Sequence, residues 1–119
     1  MKGKLFLIHW KLAEAEDLAK PLRAAGWQVE IEAADGARAG QRILADPPEA
    51  VVIYLTRLPS HGRETGHALR SYKAGREIPI LFIDGETEKV EQVRAKVPDA
   101  SYLRSADLQP TLDGLVQAG

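Results

Sequence analysis

The stretch Ala50 to Arg63, AVVIYLTRLPSHGR, decides how the chain is read. It opens on a short, unbroken apolar run and passes into a loop with Pro59 and Gly62. A run of this length, with no polar residue inside it, suits a strand covered on both faces, as in a parallel sheet. The stretch contains neither Asp nor Glu.

Two more runs repeat the pattern, Leu5 to Ile8 and Ile80 to Ile83. Two further segments are mixed. Trp27 to Glu32 alternates apolar with polar residues, as a half-exposed edge strand does, and Ser101-Tyr102-Leu103 suits the other edge. Helical segments separate these strands. Leu12 to Ala25 is predicted as an amphipathic helix with Leu18, Leu22 and Ala25 on one face, closed by Gly26 and bent by Pro21. A second helix is predicted over Ala37 to Ala45, stopped by Pro47-Pro48, and a third over Gly62 to Ala74. A fourth covers Glu86 to Val97, and a fifth starts between Asp107 and Pro110. Five alternating βα units imply a doubly wound α/β domain. With the first and third strands central, a five-stranded parallel sheet of order 2-1-3-4-5 puts both mixed strands at the edges.

Composition narrows the function classes. The 119 residues make one domain, and the formal net charge is −1. That balance argues against bulk electrostatic binding to nucleic acid or an anionic membrane. The chain has no Cys, which excludes disulfides, thiol catalysis and thiolate metal sites and fits a reducing cytoplasm. No apolar run approaches the ~20 residues of a membrane span. There is no nucleophile motif, no metal-ligand spacing and no Gly-rich phosphate loop, so no enzyme activity, metal or cofactor is expected. His9 with His61 lacks the spacing of a metal pair.

The chain resembles the response-regulator receiver domains, the CheY-like family. The resemblance runs over nearly the whole length. It rests on the βα order, on Leu22 to Gly26 before the second strand and on Pro48 to Ile53 leading into the third. Leu58 to Gly62 after the third strand, Ile78 to Ile83 opening the fourth and Asp99 to Leu103 opening the fifth complete it. The resemblance implies a flavodoxin-like three-layer sandwich and a role in two-component signal transduction. It also implies a set of chemical residues that this chain departs from. Where the family has an acidic pair after the first strand, His9 and Trp10 stand. Where it has the phosphorylated aspartate, Tyr54 stands, with Leu55 as the alternative register. Asp84 replaces the family's Thr or Ser, and Ser105, followed by Ala106, replaces its lysine and proline. No cis peptide is therefore expected at that turn. Tyr102 matches an aromatic that turns in or out with activation in many receivers.

Magnesium needs oxygen ligands, usually including one or two carboxylates. Imidazole, indole and phenol do not supply them. A phenol is neutral at physiological pH and is not the anionic nucleophile that acyl-phosphate formation uses. The expectation is a degenerate pseudo-receiver that takes no phosphoryl group and works by binding a protein. The resemblance places the partner surface, and a homodimer contact, on the fourth helix, fifth strand and fifth helix. Glu88, Glu91, Gln92, Lys96, Tyr102, Leu112 and Leu115 are the candidates there. Tyr54 is expected to fill the pocket, with its hydroxyl bonded to Asp84 or a histidine. The second expectation is a sensor of a small anion such as phosphate or a nucleotide. It would use Lys11, Arg57, His61, Arg63 and Arg104, brought together at the carboxyl edge of the sheet, with Asp84 offsetting some of their charge. A third is an interaction domain that belongs to a longer chain.

Overall fold

A computed structural model describes residues 2–118. The elements are β1 (Gly3–Ile8), α1 (Leu12–Ala24), β2 (Trp27–Glu32), α2 (Gly36–Ala45), β3 (Ala50–Tyr54), α3 (Pro59–Ser71), β4 (Ile80–Ile83), α4 (Thr87–Lys96), β5 (Ser101–Leu103) and α5 (Leu108–Ala118). Single 3₁₀ turns at Ala74–Glu77 and Ser105–Asp107 precede β4 and α5. The sheet is parallel, in the order β2-β1-β3-β4-β5. The central strands β1, β3 and β4 are the three apolar runs, while β2 and β5 lie at the edges.

Strand side chains alternate between faces, so each run feeds two cores. Leu5, Leu7, Ala50, Val52, Tyr54, Leu81 and Ile83 pack with α1 and α5. Phe6, Ile8, Val51, Ile53, Ile80 and Phe82 pack with α2, α3 and α4. Complete burial of a Leu, Ile or Phe side chain stabilises by about 1.5–3 kcal/mol, and the sheet holds many such residues at or near zero exposure.

α3 begins three residues before the expected Gly62 and stops at Ser71, short of the expected Ala74. Pro59 occupies its first turn, where a missing N–H costs nothing. Leu58 ahead of it turns the chain with φ 44°, a left-handed backbone rare for leucine. At the other end Tyr72 is extended, and the chain tucks back under the helix as a 3₁₀ turn. A Cβ on Gly75 would lie 1.9 Å from the Leu69 carbonyl oxygen, so only glycine fits this close approach. Arg70 locks the return. Its guanidinium donates to the carbonyls of Gly75 (2.6 Å), Ile78 (2.8 Å) and Asp99 (2.6 and 2.9 Å).

α5 corrects one expectation. Leu112 is completely buried against α1 and the sheet, and Leu115 is half-buried against the same core. With Leu108 they form the i, i+4, i+7 stripe by which a helix packs inward. Leu112 is therefore no part of a partner surface, and Leu115 offers little to one.

Candidate functional site

His9 and Trp10 are neighbours in sequence, but alternation past the end of β1 sends them to opposite sides of the sheet. His9 continues the Leu5, Leu7 face and is 2 % exposed. Trp10 continues the Phe6, Ile8 face and packs edge-on to His61, with ring centroids 5.4 Å apart. These two line a cleft of about 380 Å³ between α2 and α3, together with Asp35, Gly36, Thr65 and Ala68. The Trp10 Nε1–H is buried without a partner. The proposed acidic-pair positions thus do not form a pair.

On the His9 side a carboxylate stands that the sequence reading passed over. Glu14, in the first turn of α1, accepts from Arg57 Nε (3.2 Å) and Nη2 (2.5 Å). Lys11 Nζ lies 3.6 Å from it and His9 Nε2 3.3 Å. The Arg57 guanidinium holds the Glu14 carboxyl below the usual carboxylate range, and Glu14 in turn raises Arg57. His9 is held down by burial, with Arg57 adding to the effect and Glu14 opposing it. Its Nδ1 accepts the Lys11 backbone N–H at 3.2 Å.

Tyr54 closes β3 beside His9, ring centroids 5.6 Å apart. Burial pushes its phenol up to about 12, and the Asp84 carboxylate adds to that. Asp84 forms no hydrogen bond to it. Instead Asp84, at φ 59°, accepts the Ser105 backbone N–H at 2.9 Å and donates its own N–H to Leu103, bracing the ends of β4 and β5. Among the described residues no ion pair joins Asp84 to the basic loops; Glu14 takes Lys11 and Arg57 among them.

The five side chains of the expected anion site do not converge. Lys11 and Arg57 are taken by Glu14. His61 lies in the α2–α3 cleft. Arg63 pairs with Glu64 at 3.3 Å and lines a separate cleft with Leu58, Lys89 and Gln92. Arg104 lines a third cleft, of about 380 Å³, with Asp84, Arg94, Tyr102 and Asp107. The electrostatics of one shared anion seat are absent.

Tyr102 lies at that third cleft. Its ring stacks on Phe82 at 5.1 Å, Arg94 lies over it at 4.4 Å, and its hydroxyl donates to the Val97 carbonyl at 2.5 Å. Burial pushes its phenol up to about 12. Glu88, Glu91, Gln92 and Lys96 are all exposed on α4. A second missed group is Glu32 at the end of β2, 3 % exposed. It receives Arg38 Nε and Nη2, both at 2.7 Å, and the N–H groups of Ala34 and Asp35. These bonds, Arg38 first, lower its carboxyl to about 2. Among the described residues no cluster of three or more His, Asp or Glu could hold a metal ion, no peptide bond is cis, and no helix is long and apolar enough to cross a membrane.

No family model and no curated protein matches the chain. Solved structures do. A candidate response regulator from Chloroflexus aurantiacus is similar at 21% identity and TM-score 0.79, over 97% of this chain and 98% of that one. The receiver domain of a sensor histidine kinase from Pseudomonas aeruginosa, with magnesium coordinated in its active-site cleft, gives 22% and 0.77, over 97% and 98%. The chemotaxis protein CheY4 of Vibrio cholerae gives 21% and 0.75, over 94% and 97%. Likeness at this level of identity establishes the shared CheY-like, flavodoxin-type fold.

Proposed function

We propose that this chain is a receiver-like signalling domain that carries no phosphoryl group and acts by binding a protein partner. The observation that carries the reading is the occupancy of the rim by its own side chains. Glu14 is already matched by Arg57, Lys11 and His9. Magnesium binding needs several free oxygens in near-octahedral array. Here the rim carboxylate is neutralised, Asp84 serves a backbone amide, and Tyr54 is a phenol held neutral far above physiological pH. The donor set does not fit the ion, in contrast to the neighbour from Pseudomonas aeruginosa that holds one. No step through a metal or an acyl phosphate follows, and no enzyme activity is assigned.

The partner surface falls on α4 and β5. Glu88, Glu91, Gln92 and Lys96 present charge there, and Tyr102 with Arg94 forms the one aromatic feature at its edge. A protein partner or a second copy would meet mixed charge around a half-buried ring, which is how interface rims and anchors are commonly arranged. Leu112 and Leu115 act behind this surface, by holding α5 in place. Two-component signalling is the setting that the fold of the neighbours suggests.

The test is incubation with acetyl phosphate and Mg²⁺, followed by intact mass. The expected result is an unchanged mass; a phosphate adduct on a β3 residue refutes the reading. For the partner, capture from the native host is expected to fail when Glu91 and Lys96 are both charge-reversed. Capture equal to wild type would remove the α4 surface from the account.

A further inference from the structure

The hydrogen-bond polarity around His9 allows one protonation state only. Its Nδ1 accepts the Lys11 N–H, so the neutral ring carries its proton on Nε2, the nitrogen 3.3 Å from the Glu14 carboxylate. A second proton can go only onto Nδ1, where it would face the Lys11 N–H, donor against donor. The His9 backbone N–H is meanwhile fixed to the Glu32 carbonyl of β2, so the residue cannot slide along the sheet. We propose that His9 is a proton-operated latch: protonation breaks the Lys11 bond, unseats the first turn of α1 and, by placing a cation beside Glu14, loosens that carboxylate's hold on the Arg57 loop.

The groups around the ring set the direction. Glu14 of α1 favours the charged form. Arg57 of the β3–α3 loop and Lys11 of the β1–α1 connection oppose it. Tyr54 of β3 is a neutral phenol, and Asp84 bears on Tyr54 without reaching His9 through a hydrogen bond. The Glu32 carboxylate is committed to Arg38. Glu14 is itself bonded to Arg57, so much of its attraction for a histidine cation is already balanced, and burial of the ring prevails. A group whose folded value lies below its unfolded one contributes stability above the unfolded value, ~6.5 for histidine, and loses it as pH falls through the folded value. The latch is therefore closed at neutral pH and opens on the acid side. The parts it would release are close at hand. Lys11 carries the carbonyl that accepts the Ala15 N–H at the start of α1, and Arg57 precedes the left-handed Leu58 that starts α3.

NMR titration of the intact chain from neutral to acid pH tests this. The His9 ring is expected to titrate below ~6.5. With the same midpoint, the Lys11 amide and the Arg57 Nε–H should shift, and Lys11 amide exchange, corrected for pH, should quicken at least about tenfold. His9→Asn keeps an oxygen acceptor for Lys11 and carries no titrating ring, so it should abolish the linked response. His61→Asn should not. A His9 ring titrating at or above ~6.5, or a Lys11 amide that does not follow it, overturns the proposal. So does the same response in folded His9→Asn; if that variant does not fold, the wild-type titration decides alone.

Discussion

Replacing Leu112 by Ala separates a core role from a contact role. The side chain is completely buried, among Leu108, Ala15, Ala19, Trp27 and the sheet face that carries Leu5 and Val52. The change deletes the equivalent of about three methylene groups, worth roughly 2.4 kcal/mol in transfer free energy, before any cavity contribution. Leu→Ala changes in cores cost about 2–5 kcal/mol, more where the site cannot collapse. α5 is an outer helix, packed on one face, so partial collapse is open to it. The expected loss is about 3 kcal/mol, or a Tm lower by roughly 9–18 °C for a domain of this size. Urea unfolding followed by tryptophan fluorescence reads it directly, because Trp27 sits in the same cluster at 4 % exposure. The midpoint should fall with an unchanged slope. Glu91→Ala, on the open face of α4, should stay within about 0.5 kcal/mol of wild type. A Leu112→Ala protein that loses less than ~1 kcal/mol, yet loses a binding partner, would refute the assignment of this leucine to the core.

Three further outcomes follow from the geometry. Tyr102→Phe keeps the stack on Phe82 but removes the bond to the Val97 carbonyl; it should cost about 1 kcal/mol in chemical denaturation, and a gain in stability would count against that bond. Tyr54→Asp should not restore phosphorylation by acetyl phosphate, because neither a second free carboxylate nor a lysine at position 105 attends it; it should also lower Tm, since a carboxylate then enters a 4 % exposed site. Glu32, lowered to about 2 from an ordinary value of 4.5, contributes stability that is full above 4.5 and lost as pH falls toward 2. Glu32→Gln should therefore flatten the acid limb of the Tm-versus-pH curve, and an unaltered limb would show that the Arg38 pairing contributes nothing.

The architecture was legible because burial on two faces leaves an unmistakable trace. β1, β3 and β4 are apolar without interruption, and no soluble edge or helix face needs Val51 to Ile53 or Ile80 to Ile83 in that form. The site was less legible, for reasons that differ between residues. Glu14 reads locally as one more acidic residue in a first helical turn, which the macrodipole favours anyway. That it meets Arg57, 43 positions away, is a fact of the fold alone. The opposed directions of His9 and Trp10 were available from strand alternation, had the parity of Leu5 and Leu7 been carried past Ile8. Two helix readings also had usable signals. Pro59 marks a first turn, and Leu108, Leu112 and Leu115 have the spacing of an inward stripe. Placing Leu112 at the surface followed from family likeness, whereas the spacing pointed inward. Glu32 left a fainter mark, a carboxylate ending an alternating strand with Arg38 six residues on, and such pairs are common where nothing is buried.

The Arg70 side chain makes a peg through two connections at once, gripping the turn that leaves α3 and the approach to β5. A chain opened between Lys73 and Glu77 would still have both banks of the cut tied to the same guanidinium. The domain thus has a place where its polypeptide order is not what keeps its shape, and where a fused module would sit on the amino-end side of the sheet, away from the rim.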